Sequence, residues 1–218
     1  MTWEKLRRWT IQFMVPAIAI ITAIIGLMAF LVVLDELIEG SLEPVDESIM
    51  NVLRPYHTRT LNIIAIILHE MLRLPYVVFL IAPFLIYLWV TRRRRFLTAF
   101  SLVLTTTMLL VAVIKNMVGR PRPLGSIIPE VGLSFPSGHA ATGMVIYGLL
   151  GYIVWRHMVH KPWARVLVAL ITVGLITATG LSRIYLGVHY PSDVIAGWAV
   201  GTFILFGAIS LLEFVRRF

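Results

Sequence analysis

A chain of 218 residues that is 59% hydrophobic and only 14% charged, with a mean hydropathy of +0.88, lacks the polar surface that a water-soluble domain of this size needs. The composition argues against a soluble globular enzyme and excludes a disordered chain, while the absence of cysteine excludes disulfides, thiolate nucleophiles and cysteine-bound metals. A formal net charge of +8 and a pI near 10.3 would point to nucleic acid in a soluble protein, but in a membrane protein the same excess marks the cytoplasmic loops.

A membrane-spanning helix needs about 20 mostly apolar residues. Six stretches qualify directly or with flanking residues, near 11–34, 74–90, 96–114, 140–155, 166–181 and 194–212. The first is uncharged and longer than the apolar part of a cleaved leader, and it runs into an acidic segment, so it reads as a retained span. Pro16 within it is expected to kink the helix, with neighbouring helices covering the freed carbonyl. Residues 60–68 are apolar but too short to cross, and His69, Glu70 and Arg73 follow them. This piece reads as an interfacial helix or an outward extension of the second span.

The charges set the topology. Lys5, Arg7 and Arg8 precede the first span, and Arg92, Arg93, Arg94 and Arg95 separate the second from the third. Arg156, Lys161 and Arg165 separate the fourth from the fifth, and Arg216 and Arg217 follow the sixth. With six spans all of these fall on one side, which the positive-inside rule makes cytoplasmic, together with both termini. Trp9, Trp89, Trp155 and Trp163 fit an aromatic belt on that side. Asp35, Glu36, Glu39, Glu43, Asp46 and Glu47 lie on the other. The expected fold class is all-α: a polytopic membrane protein with six transmembrane helices in one bundle, a short extra interfacial helix, and a single domain over 1–218.

Three polar clusters stand at span ends on the extracytoplasmic side. Residues 115–123 read K-N-M-V-G-R-P-R-P, residues 136–139 read P-S-G-H, and residues 182–193 read S-R-I-Y-L-G-V-H-Y-P-S-D. Lys115, Arg120, Arg122 and Arg183 would repel one another unless an anion sat among them, and arginine forks match phosphate oxygens. Ser137 and Gly138 open the fourth span, where free backbone N–H groups and the helix dipole favour an anion; the same tripeptide also suits a plain cap and turn. His139 and His189 flank this set, and Asp193 follows His189 by four residues in the first turn of the sixth span. There the carboxylate can bind one imidazole nitrogen, fix the tautomer and leave the other nitrogen as nucleophile or base. The residues therefore point to phosphoryl chemistry, one histidine attacking phosphorus and the other protonating the leaving oxygen. Asp193 and Glu130 are too few carboxylates for a magnesium or dinuclear site, and zinc on two histidines and Asp193 is a weaker alternative.

The three clusters resemble the signature of the type 2 phosphatidic acid phosphatase family, K-x6-R-P, then P-S-G-H, then S-R-x5-H-x3-D, with every defining position present. The resemblance implies that His189 is a nucleophile forming a phosphohistidine, that Asp193 orients it, and that His139 donates a proton to the leaving group. It implies phosphate binding by Lys115, Arg122, Ser137, Gly138 and Arg183, with secondary roles open for Arg120 and Ser182, and no metal or other cofactor. Six-span members are typically bacterial lipid phosphatases with an outward-facing site. The implied partners are the bilayer and a membrane lipid phosphate such as phosphatidylglycerophosphate, phosphatidic acid or undecaprenyl pyrophosphate, and no nucleic acid. Transfer of the phosphate to a lipid alcohol is an alternative within the family, and an anion or lipid transporter an alternative outside it. The acidic segment and residues 61–68 are expected to shape lipid entry or cover the site, or to form a solvated loop. The sequence carries no signal for oligomeric state.

Overall fold

The computed structural model describes residues 3–73 and 75–215, with side chains from 13 to 73 and 75 to 214. Eight α-helices are present among the described residues. They are α1 (Trp3–Ile38), α2 (Glu43–Leu53), α3 (Arg59–Glu70), α4 (Tyr76–Val90), α5 (Arg94–Val118), α6 (Gly138–His157), α7 (Pro162–Tyr185) and α8 (Pro191–Val215), with a 3-10 turn at Arg54–Tyr56. The side chains of Lys5, Arg7, Arg8 and Trp9, together with Leu74, Arg216 and Arg217, lie outside the described set.

Helix α6 is the axis of the bundle. It packs against α5, α7 and α8, and it buries Ala141, Val145, Ile146, Leu149 and Ile153. Helix α1 lies along α8. Small residues bring these helices together, as expected where dispersion and close backbone approach drive association. A Cβ on Gly26 would sit 2.8 Å from the backbone nitrogen of Phe203, and one on Gly197 would sit 2.5 Å from the carbonyl oxygen of Ser137. The second contact matters most for function, because it seats the start of α8 against the start of α6.

Large apolar side chains point outward on α1, α4, α5 and α7: Ile21, Ile25, Phe79, Leu102, Leu109 and Leu170 are all exposed. Such a surface is unfavourable in water and unremarkable against lipid tails. Four helices are long and apolar enough to cross a membrane, over Phe13–Ile38, Arg94–Val118, Pro162–Tyr185 and Pro191–Phe214. Of the six expected spans, two do not reach that standard. Helix α4 has only 15 residues, about 22 Å at a rise of 1.5 Å each. Helix α6 is long enough, but it carries His139 and four glycines. Its neighbours cover it, so it does not need an apolar surface.

Two local details follow. Helix α1 runs through Pro16 as a single helix, and Ser210 Oγ donates to the Pro16 carbonyl at 3.3 Å. Residues 59–70 form a separate helix, divided from α4 by a turn, so they do not extend the second span.

Candidate active site

The site gathers where α5 ends, α6 begins, α7 ends and α8 begins. Gly119, in the left-handed conformation (φ 70°), stops α5 one turn after Lys115, and its N–H donates to the Lys115 carbonyl at 2.9 Å. The chain then loops over the helix ends. Ser134 ties the loop closed, its N–H to the Arg120 carbonyl at 2.9 Å and its Oγ to the Pro121 carbonyl at 2.8 Å. Ser137 caps α6, its Oγ accepting from the Ala140 N–H at 3.4 Å, while its own N–H donates to the Asp193 carbonyl at 2.9 Å. Hydrogen bonding and the Gly197 contact thus hold the P-S-G-H turn against the beginning of α8.

His189 is buried just before α8. Its Nδ1 faces Asp193 Oδ2 at 3.4 Å, and its Nε2 faces Arg122 Nη1 at 3.2 Å. A guanidinium can only donate, so Nε2 accepts and carries the lone pair, and Nδ1 carries the proton toward the carboxylate. Asp193 is fully buried; its Oδ2 also accepts from the Tyr190 N–H at 2.9 Å. This is the arrangement expected from the four-residue spacing.

Arg122 also donates to the Val188 carbonyl at 2.8 Å and the Gly132 carbonyl at 3.2 Å. Lys115 Nζ donates to the carbonyls of Leu133 at 2.5 Å and Ser134 at 3.1 Å. Arg183 is completely buried; Nη2 meets Glu130 Oε2 at 3.3 Å, Nη1 bonds His69 Nδ1, and Nε has no hydrogen-bond partner among the described residues. Glu130 also lies 3.8 Å from Arg122. One carboxylate therefore serves both guanidiniums. His139 Nε2 is buried without a partner among the described residues, and the ring stacks on His69 with centroids 5.0 Å apart.

The other expected site residues fall differently. Gly138 starts α6 in a half-buried position where a Cβ would meet only Val111, at 3.7 Å. Ser182 is buried, and its Oγ is spent on the Thr179 carbonyl at 2.7 Å. Arg120 turns to carboxylates, with Nη1 at 2.8 Å from Asp193 Oδ1 and Nη2 at 2.7 Å from Asp46 Oδ2. These bonds hold its pKa above the ordinary value despite burial. Among the described residues no group of three or more His, Asp or Glu side chains is arranged to hold a metal ion.

Sequence reasoning missed His69 and Asp46 and counted Glu130 only as a nearby carboxylate. His69 comes from α3, which is pinned to the end of α7 by Tyr185: its hydroxyl accepts from the Thr58 N–H at 3.1 Å and bonds Asn62 Oδ1 at 2.8 Å. The polar end of the short apolar stretch at 60–68 was the available signal. Asp46 had none, being one acid in a run of six; only its burial distinguishes it.

Burial, reinforced by the positive charge of Arg183, pushes His69 down to about 4. His189 is held well below the ordinary imidazole value, by burial first and then by Arg183, Arg122 and Lys115. Both rings are neutral near pH 7. The unfolded chain takes up protons near pH 6.5 while the folded protein resists them, so this stability is full above 6.5 and is lost as pH falls toward 4. For His69 alone the loss is on the order of 3 kcal/mol across that window. The thermal midpoint of the detergent-solubilised protein is accordingly expected to fall between pH 7 and pH 5; an unchanged midpoint contradicts neutral burial of these rings.

The class this defines is an apolar helical membrane bundle in which buried cations stand beside a carboxylate-paired histidine. Residues 96–217, more than half of the chain, match the PAP2 superfamily, and the chain belongs to that superfamily. It is 32% identical over 118 residues to phosphatidylglycerophosphatase B of Bacillus subtilis (strain 168), covering 54% of this chain and 58% of that one. It is 33% identical over 109 residues to an undecaprenyl-diphosphatase of Sulfolobus acidocaldarius, covering 44% and 46%. The matched region thus spans about half the length of these curated relatives. The crystal structure of a transmembrane PAP2 type phosphatidylglycerolphosphate phosphatase from Bacillus subtilis has the same fold, with a TM-score of 0.84, 24% identity, and coverage of 90% of this chain and 98% of that one.

Proposed function

We propose that this protein is an integral membrane lipid phosphatase that hydrolyses a phosphate monoester or pyrophosphate of a membrane lipid through a phosphohistidine. The observation that carries the reading is His189: Nδ1 anchored on Asp193, and Nε2 turned toward Arg122 beside Arg183 and Lys115. The phosphoryl oxygens take the place of Glu130 among Lys115, Arg122 and Arg183, with the backbone at Gly138 adding N–H donors. Arg122 passes from His189 Nε2 to the phosphate, which frees the lone pair. Nε2 then attacks phosphorus and forms the N–P bond as the bond to the leaving oxygen breaks. His139, whose Nε2 is otherwise unpartnered, supplies the proton to that oxygen. Asp193 stabilises the positive charge on His189. In the second step water attacks phosphorus, His139 takes its proton, and the N–P bond breaks to release phosphate.

In this reading all six long helical stretches cross the bilayer, α4 and α6 included, with both termini cytoplasmic and the site on the extracytoplasmic face of the cell membrane. Arg92–Arg95, Arg156, Lys161 and Arg165 lie at the helix ends remote from the site, which accords with that orientation. A lipid phosphate sits at headgroup level, where helix ends reach it while its tails stay in the bilayer. The related proteins named above make phosphatidylglycerophosphate and undecaprenyl pyrophosphate the first substrates to try, with phosphatidic acid beside them. The purified protein in detergent is expected to release phosphate from at least one of these, with and without a chelator, and vanadate is expected to inhibit it. No release from any of them would overturn the reading, and loss of activity with chelator would overturn its metal independence.

A further inference from the structure

Asp46 is nearly sealed from solvent, at 2% exposure, although its neighbours Glu43 and Glu47 on α2 are exposed. A carboxylate so buried must be paired, and three donors reach it. The Ser192 N–H lies 2.9 Å from Oδ1, and Ser192 Oγ and Arg120 Nη2 lie 2.5 and 2.7 Å from Oδ2. Arg120 continues the connection: Nη1 donates to Asp193 Oδ1 at 2.8 Å and to Ser192 Oγ at 2.7 Å, and its Cζ lies 4.1 Å from the centre of the Tyr190 ring. The Asp193 carboxylate is thereby divided, with Oδ1 on Arg120 and Oδ2 left for His189 Nδ1 and the Tyr190 N–H.

We propose that Asp46 is a positioning residue of the reaction, acting through Arg120 and Ser192 to orient Asp193 and, through it, His189. This rests on the phosphatase reading above. Two carboxylates share one guanidinium, so Asp46 takes up part of the positive charge that Arg120 would otherwise direct wholly at Asp193. Asp193 keeps more negative charge to hold the His189 Nδ1–H and to stabilise the cationic phosphohistidine. The same bonds fasten α2 to the first turn of α8, which gives this acidic segment a defined task. Asp46 does not touch the phosphate cradle, so its removal acts on the chemical step and not on binding.

The test measures kcat and KM for Asp46→Asn, Arg120→Gln, the double variant and Ser192→Ala, each in detergent with its elution profile and thermal midpoint. Asp46→Asn is expected to lower kcat about 10- to 100-fold with KM within about twofold, the scale of losing an orienting partner. The double variant is expected to be no worse than Arg120→Gln alone, because the two act through one path. Ser192→Ala keeps the backbone bond and is expected to lower kcat by a smaller factor, again at constant KM; it decides the matter if Asp46→Asn does not fold. An active wild type with unchanged kcat in folded Asp46→Asn, an effect on KM alone, or fully additive losses overturns the role of Asp46 alone. A wild type inactive on every lipid overturns the phosphatase reading and this inference with it.

Discussion

Replacing His189 by alanine is expected to lower kcat/KM for phosphate release by roughly 10⁴-fold or more, to the background of the assay. The loss is this large because, in the proposed mechanism, Nε2 forms the covalent bond and the other side chains near the cradle are otherwise engaged. Lys115 and Arg122 are committed to carbonyls, His69 Nδ1 is bonded to Arg183, and His139 is assigned to the leaving group in the proposed mechanism. Asp193 would keep its bonds to Arg120 and the Tyr190 N–H, so the start of α8 stays in place and the variant is expected to elute as the wild type does. It should also bind vanadate without forming a covalent adduct on a histidine. Persistent full turnover in a folded His189→Ala protein rejects the nucleophile assignment, whatever substrate is used.

His139→Ala is expected to cost about 10²- to 10⁴-fold on a lipid alcohol leaving group, the usual contribution of general acid–base catalysis. The loss should shrink sharply with an aryl phosphate, whose leaving group needs no proton. With such a substrate the first step survives while the second lacks its base, so labelled phosphate is expected to accumulate on His189. Rapid quench and acid–base stability of the label read this directly. Equal losses for alkyl and aryl leaving groups would reject the acid role and leave His139 as a packing partner of His69. The unpartnered Nε2 and the stack on His69 are what make the two outcomes separable.

Much of the site was legible because it depends on helix ends. Lys115 lies one turn before the glycine that stops α5, Ser137 caps α6, and Asp193 falls one helical turn beyond His189. These placements follow from spacing, from glycine's access to positive φ and from capping chemistry. The partners of each group were less legible. Arg120 and Arg122 stand two residues apart in the same R-P-R-P run, yet one binds two carboxylates and the other binds His189. Ser137, Gly138 and Ser182 have motif positions as distinctive as that of Arg122. Both serine side chains nevertheless satisfy their own helices, because a buried hydroxyl takes the nearest acceptor or donor that its turn presents.

By itself the amino-acid sequence determined the solvent, the long helices, the order of the three clusters and the pairing of His189 with Asp193, since each depends on composition or on contacts a few residues apart; α2 was not among the helices read from it. The net charge of +8 is unevenly spread for the same reason: the basic residues concentrate in particular loops, which is what the proposed topology rests on. Only the tertiary structure decided which carboxylates enter the site. Asp46 meets Ser192 across 146 residues and Glu130 meets Arg183 across 53, while His69 and Arg183 stand 114 apart. Nothing local encodes such meetings. They depend on Tyr185 pinning α3 and on Gly197 letting α8 close onto Ser137, for burial leaves a charged group only the partners that packing brings within reach.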